Sequence, residues 1–543
     1  MRVGIFFGGP SREREVSFMG GRTAYHYLDK SLFEPVLIFV SGWGRFYHVS
    51  PEFLEHGAIR DALPKDGGFS VYDESLEEDE FDEGESIEPD WFEDYFDIAF
   101  LAMHGPDCED GAIQGLFEWF KIPYTGPGLI GSAIGINKIL QNHLIALVNG
   151  QEKKTAVVNR TDWEQADKAA YFDSLVEHLG LPVVVKAPHQ GSSIGVAIVR
   201  EKNLDKFIKS VDQCFFKQVV EPADWTALSG DEKAAFAQQV AQLDQGIGYP
   251  VVLEKTGEYL MGPVQLIACL DQLTAESADS IVLSSLNAED EVLFEEFISG
   301  QEFSCGVIQD DTGTAIALPP TEVYNVESFD FASKYLSNVT KKRIPVDTTL
   351  ENNRKIQQAV STVFSKLGIN VYSRIDGFLT ADGRVLLHDP NTIPGMSPAS
   401  LIFKQMAEVG MNLTNSLTYL IRQSLRERIR TGKDTFRLKT MLAELDRQLA
   451  ARKASPLPVQ EVSFGGSDEA YADAKATYNR LAAEGQVRPE LVYEAADGSK
   501  TTLAVWALFK DTVADLEQAL AQPRHPLLTE TADRLRHITE QYV

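Results

Sequence analysis

Residues 3–40 read VGIFFGGPSREREVSFMGGRTAYHYLDKSLFEPVLIFV. An apolar run, Val3 to Phe7, stops at Gly8-Gly9-Pro10, a helical pattern follows from about Val16 to Leu28, and a second apolar run fills Pro35 to Val40. Strand, glycine turn, helix, strand is the order of a parallel βαβ unit, and it predicts an N-terminal domain built on a parallel sheet. Open sheets of this kind bind ligands beyond the carboxyl ends of their strands, which is where Glu13 falls. Capping the following helix is the ordinary reading of Glu13; holding a substrate ammonium is the functional one.

Further along, Ile98 to Met103 reads as a buried strand ending at His104-Gly105, with a helix through Gln114 to Phe120 behind it. A lone histidine is more often structural, but a strand-end His beside glycine is a candidate ligand contact. The acidic stretch Asp73 to Asp97 between the two units reads as a solvated loop. Asn137 to Val148 is a helix that opens on Lys138, by itself an ordinary surface lysine, and ends near Asn149-Gly150.

Two β-rich runs, Leu181 to Lys186 and Val196 to Val199, flank His189 to Gly195 and predict a hairpin over a ligand. Small residues in Gly191-Ser192-Ser193-Ile194-Gly195 let backbone N–H groups approach anionic oxygens, and Lys186 supplies a neutralising charge. A plain hairpin tip is the alternative. Phe207 to Asp290 mixes acidic helical stretches with short strands such as Tyr249 to Leu253 and shows no chemistry. Leu293 to Ile298 and Glu302 to Ile308 read as paired strands; Glu295 and Glu302 are acceptors for an adenine amino group and ribose hydroxyls, or ends of a solvated turn. An irregular stretch, Pro319 to Ile344, follows.

Val371 to Thr380 and Arg384 to Asp389 flank Ala381-Asp382-Gly383, a hairpin signature. It sets Asp376 on one strand against Asp389 and Asn391 on the next, an all-oxygen set suited to Mg2+. On spacing alone, solvated strand-end acids are the commoner reading. Beyond about Arg422 come an amphipathic helix, Phe436 to Lys453, and strands around Glu490 to Trp506 meeting at Asp497-Gly498, an appended α/β unit or packed extension without a catalytic pattern.

The 543 residues call for two to four packed units. With 50 basic against 80 acidic residues, a net of −30, the chain repels phosphodiester backbones, which argues against nucleic acid as a partner. No apolar run approaches the roughly eighteen residues of a membrane span, and the start lacks a secretory h-region. Cys108, Cys214, Cys269 and Cys305 are scattered. A reduced, cytoplasmic setting is expected.

Taken in order, these pieces resemble the D-alanine:D-alanine ligase family. The resemblance is carried by Gly8-Gly9-Pro10-Ser11-Arg12-Glu13-Arg14-Glu15-Val16-Ser17, by His104-Gly105 through Glu109-Asp110-Gly111 to Pro123-Tyr124-Thr125-Gly126, and by Lys186 with Gly191 to Gly195. Glu295-Glu296-Phe297-Ile298 with Glu302, Lys334-Tyr335-Leu336-Ser337, Arg374-Ile375-Asp376 and Asn391-Thr392-Ile393-Pro394-Gly395-Met396 complete it. It implies an ATP-grasp fold of mixed α/β and α+β type: a substrate-binding domain over residues 1–135, a central ATP-binding subdomain over 136–300 with an insertion at about 207–290, a second ATP-binding subdomain with the metal site over 301–423, and an α/β extension over 424–543.

It further implies that Lys138, Lys186, Glu295, Phe297, Ile298 and Glu302 bind the nucleotide and that Asp376, Asp389 and Asn391 hold two Mg2+ ions, or Mn2+. Glu13 would take the first amino acid's ammonium in a set with Ser192 and Tyr335, Arg374 and the Gly395 N–H would face an oxyanion, and His104, Lys334, Ser400 and Leu401 would bind substrate. The activity so implied is ATP-dependent joining of two D-alanines through an acyl phosphate, for peptidoglycan precursors, by a homodimer. A different amino-acid acceptor, or a nucleotide-binding regulatory protein without turnover, are the alternatives. Departures from the family pattern are Asp389-Pro390-Asn391, where Glu is usual at the first position; Glu296, where Lys is frequent; and Phe329-Asp330-Phe331, where tyrosines are usual.

Overall fold

The computed structural model describes residues 1–55, 71–72, 76, 81–244, 246–324, 341–432 and 435–542. Strands β1 (Arg2–Gly8), β2 (Glu34–Val40), β3 (Phe46–Val49), β4 (Gly84–Ile87) and β5 (Ile98–Leu101) form one sheet in the order β4-β3-β2-β1-β5. Both β2 and β5 run parallel to β1, and the helix Arg14–Tyr27 makes the crossover, so the expected βαβ unit is present. The sheet is nevertheless mixed, because β3 and β4 are antiparallel additions at its far edge. Strand β4 and the short helical turns Pro89–Trp91 and Phe92–Tyr95 occupy part of the stretch read as a solvated loop. Sparse as its apolar residues are, Ile87, Phe92 and Phe96 are all buried in the sheet's core.

Next, Asn137 caps the helix Lys138–Asn149 by accepting from the Leu140 N–H, and Gly150 ends it in the left-handed region at φ +63. The chain then forms β6 (Thr155–Asn159), β7 (Val183–Lys186) and β8 (Val196–Val199). A four-stranded sheet follows: β9 (Lys217–Val220), β10 (Val251–Leu253), β11 (Glu258–Leu260) and β12 (Ile281–Ser285) pair in the order β11-β10-β12-β9, accompanied by the helices Gly230–Val240 and Pro263–Glu276 and sharing a core with β6–β8. Strand β13 (Glu291–Glu296) returns to complete an antiparallel sheet, β6-β13-β7-β8.

Strand β14 (Gln301–Gln309) starts another sheet, with β15 (Ala315–Ala317), β16 (Thr321–Tyr324), β17 (Lys341–Arg343), β18 (Tyr372–Leu379) and β19 (Val385–Asn391), ordered β17-β16-β14-β18-β19 with β15 also on β14. Two sequence expectations are corrected here. The runs at β13 and β14 do not pair: Val292 to Phe294 is buried between β6 and β7, Phe303 to Ile308 lies beside β18, and residues 297–300 carry the chain from one sheet to the other. The stretch read as irregular contains β16 and β17, joined by an ion pair of 2.8 Å between Arg343 and Glu322.

Near the carboxyl end, β20 (Val459–Phe464), β21 (Arg488–Glu494) and β22 (Lys500–Thr502) form a small sheet with the helix Asp468–Glu484 and a core of their own. The helices Phe436–Ala454 and Pro526–Thr539 belong elsewhere, since their Leu438, Leu445, Leu449, Leu535 and Ile538 join the large core that runs from the first sheet to the helix Leu413–Thr431. Among the described residues no helix is long and apolar enough to cross a membrane.

Candidate active site

A cavity of about 520 Å³ opens between the β6-β13-β7-β8 sheet and the β14–β19 sheet, with Lys138, Lys186, Glu295, Asp376 and Asp389 in its wall. Lys186 ends β7 and its Nζ lies 2.9 Å from Glu295 Oε2 and 3.7 Å from Asp389 Oδ2. Lys138 begins its helix; its Nζ donates to the Gln190 carbonyl at 2.6 Å and lies 3.5 Å from Asp389 Oδ1. Burial opposes the charge on Lys186, yet Glu295 and Asp389 outweigh it and hold its pKa above the usual lysine range. Burial likewise opposes the charge on Glu295, and Lys153 and Lys186 override it, keeping the carboxylate ionised. Phe297, Ile298, Glu302, Ser192 and Arg374 also line the cavity. Paired ammonium groups beside a glycine loop are the chemistry of a polyphosphate site.

A small cleft of about 20 Å³ shares Lys138, Gly191, Asp389 and Asn391 with this cavity and adds Glu109. Glu13 is buried near it: Ser192 Oγ donates to its Oε1, and side chains added at Gly105 or Gly191 would run into its carboxylate. The amine-binding candidate thus touches the phosphate loop directly.

Models of the D-ala D-ala ligase N-terminus and the D-ala D-ala ligase C-terminus match residues 2–127 and residues 144–223 and 221–422. The chain belongs to the D-alanine:D-alanine ligase family. Among its relatives, D-alanine–D-alanine ligase A of Brucella melitensis is 26% identical, covering 78% of this chain and 98% of the relative. D-alanine–D-alanine ligase of Geobacillus kaustophilus is 25% identical over 74% of this chain and 88% of its own length. Of solved structures, the VanG D-Ala:D-Ser ligase of Enterococcus faecalis superposes with a TM-score of 0.52 at 21% identity, covering 78% of this chain and 99% of that one. The D-alanine-D-alanine ligase of Coxiella burnetii gives 0.52 at 18%, covering 84% and 98%. These structures share the fold, an ATP-grasp arrangement.

The D-alanine:D-alanine ligase reading places the metal residues on the β18–β19 hairpin, and there the structure adds detail. Arg374 faces Asn391 and Asp376 faces His388, with a register shift between Ile375 and Asp376 that leaves Asp389 as the extra residue at φ +46. Asn391 Nδ2 lies 3.4 Å from Asp376 Oδ2, so these two side chains converge. Asp389 turns toward Lys138, Lys186 and His388, whose Nδ1 is 2.9 Å away. Burial opposes its charge, but Lys138 and Lys186, then His388, hold it well below the usual carboxylate range. Among the described residues no three His, Cys, Asp or Glu side chains close on one point, and the Asp376 carboxylate with the Asn391 amide oxygen are the hard donors here that would suit Mg2+.

His104 is buried, its N–H donating to Ser17 Oγ at 2.9 Å and its carbonyl accepting from Ser11 Oγ at 2.5 Å. Burial, with Arg374's charge second, pushes it down to about 4, so it is a neutral imidazole at pH 7. Gly395, Ser400 and Leu401 do not line the cavity. They lie on the following loop and the start of the helix Leu401–Glu408, with Ser400 Oγ 3.0 Å from Ser397 Oγ. Lys334, Tyr335 and the Phe329 to Phe331 stretch lie outside the described residues.

Two residues were given no role by sequence reasoning. Lys153, just before β6, is buried with its Nζ 2.5 Å from Glu295 Oε1. Glu109 accepts from the Gly105 N–H at 3.0 Å and the Ile393 N–H at 3.3 Å, and burial, with Glu13's charge second, pushes it up to about 8. Its place in the cleft depends on contacts across more than 280 residues, which no local pattern reveals.

Proposed function

We propose that this protein joins two D-alanine molecules into D-alanyl-D-alanine with ATP, releasing ADP and phosphate, in the synthesis of peptidoglycan precursors. The observation that carries the reading is Glu13, a buried carboxylate held by Ser192 of the glycine loop beside the lysine-lined cavity, where it would take a substrate ammonium. Lys138 and Lys186 would offset charge on the transferring phosphoryl group while the first substrate's carboxylate attacks it. Mg2+, held by Asp376 and Asn391 with Asp389 nearby, would neutralise phosphate oxygens when bound. The second amine then attacks the acyl phosphate, and Arg374 with the Gly395 N–H stabilises the tetrahedral oxyanion. His104, neutral and buried, donates a hydrogen bond to substrate without adding charge.

Glu295, Phe297, Ile298 and Glu302 would surround adenine and ribose, with Lys153 taking the place of the lysine that Glu296 displaces. Ser400 and Leu401 would fix the second carboxylate, and Lys334 and Tyr335 would complete the substrate set. The test is phosphate release from ATP with Mg2+ across small amino acids. D-alanine-dependent release with dipeptide formed supports the reading. Release only with a mixed pair, such as D-alanine with D-serine, assigns another acceptor, and none with any amino acid contradicts ligation.

A further inference from the structure

The unit carrying β9–β12 is wrapped against the turn that bears Glu13, and one side chain makes most of the junction. Arg12 is 3% exposed. Its Nε donates to the Leu243 carbonyl at 2.9 Å, its Nη1 to the Ile247 carbonyl at 2.7 Å and to Ser285 Oγ at 3.1 Å, and its Nη2 to the Gly246 carbonyl. The guanidinium also lies 4.0 Å over the Phe216 ring. Every acceptor and the ring belong to residues 216–285, on or beside the interposed sheet. A planar fork with five donors matches a ring of carbonyls in a way that a single ammonium does not.

The junction continues on both sides of Arg12. Asn287 Nδ2 donates to the Pro10 carbonyl at 3.0 Å, and Trp43 stacks on Tyr259 at 6.3 Å. Met261 and Leu286 pack against the N-terminal core. Residues 10–13 are therefore held from the β9–β12 side through Pro10 and Arg12, while the next side chain, Glu13, meets Ser192 of the phosphate loop.

We infer that the β9–β12 unit is a clamp that fixes the amino-acid end of the site, with Arg12 as a positioning residue for Glu13. It rests on the reading of Glu13 as the ammonium site. A carboxylate displaced by about 1 Å loses much of its grip on an ammonium, whereas Arg12 is not among the described residues that line the lysine-lined cavity. The clamp therefore acts on amino-acid affinity and leaves nucleotide affinity alone.

The experiment uses the full chain with Arg12→Ala, Arg12→Lys and the milder Asn287→Ala. Three quantities are read: KM for D-alanine, ADP affinity by titration, and amide hydrogen exchange over residues 9–14 and 191–195. Arg12→Ala is expected to raise KM for D-alanine roughly tenfold or more, to leave ADP affinity within about twofold, and to speed exchange at 9–14. Arg12→Lys recovers part of the loss, because one ammonium reaches fewer carbonyls. Asn287→Ala shifts the same two readouts in the same direction by less. Unchanged KM and exchange in Arg12→Ala, or an equal loss of ADP and D-alanine affinity, overturns the clamp. Exchange reports on the clamp even if the wild type does not turn over D-alanine, so failure of the ligase reading and failure of the clamp are told apart.

Discussion

At Glu295 a buried carboxylate is shared by two ammonium groups, Lys186 on Oε2 and Lys153 on Oε1, while Asn142 donates to Oε1 at 2.7 Å. The neighbouring Glu296 stands where a lysine is frequent in the family and accepts from the Lys154 N–H at 2.8 Å. Lys153, in the segment preceding β6, brings a positive charge to Glu295. Lys153→Ala is accordingly expected to raise KM for ATP about tenfold, the size of one charge-assisted hydrogen bond, with KM for D-alanine within about twofold. Adding Glu296→Lys in that background should recover part of it. Glu109 carries a second residue-scale consequence. Its folded-state pKa, about 8, lies above the unfolded value, so folding takes up a proton between about pH 4.5 and 8 and stability falls as pH rises through that window. Melting temperatures at pH 5 and pH 9 should differ less in Glu109→Gln than in the wild type. Sequence singled out Glu13, Lys138, Lys186 and Glu295 near helix starts or strand ends and Asp376 on a hairpin strand, and all but Glu13 line the one cavity. Lys153 and Glu109 carry no such mark, because their partners Glu295 and Ile393 lie far along the chain.

Among the elements, the glycine loop between β7 and β8 packs directly on Glu13. Gly191 lies against Glu13, leaving no room for a β-carbon. Gly191→Ala should reduce kcat/KM for D-alanine by roughly ten- to hundredfold through overpacking, as steady-state kinetics would show. The β18–β19 hairpin was readable from its Ala381-Asp382-Gly383 turn, and the first βαβ unit from its periodicity. The register shift that leaves Asp389 as the extra residue was not readable, because it depends on how β19 pairs with β18. Strands β13 and β14 looked like a hairpin because two apolar runs stood close in sequence. Burial of each against a different sheet decided otherwise.

For the whole molecule, the region after residue 431 is part of the fold's support. Arg452 reaches Asp29 Oδ2 at 2.6 Å next to the helix that Glu13 opens, and Leu438, Leu445, Leu449, Leu535 and Ile538 join the large core that also holds Leu417, Leu420 and Leu425 of the helix Leu413–Thr431. Fully burying each such side chain contributes about 1.5–3 kcal/mol, against a total stability of roughly 5–15 kcal/mol for a domain. A chain ending at Thr431 should be aggregated or melt far below the full chain, as solubility and thermal unfolding would show. Sequence alone marked this region as different but could not say what it packed on, since an amphipathic helix names a buried face and not its partner.

Acyl-phosphate ligation is tested most directly by following oxygen. With D-alanine labelled in its carboxylate by heavy oxygen, attack on ATP and later displacement by the second amine carry one labelled oxygen into the released phosphate, detected by mass spectrometry alongside the dipeptide. One labelled oxygen per phosphate is the expected result; unlabelled phosphate accompanying dipeptide formation would contradict the mechanism.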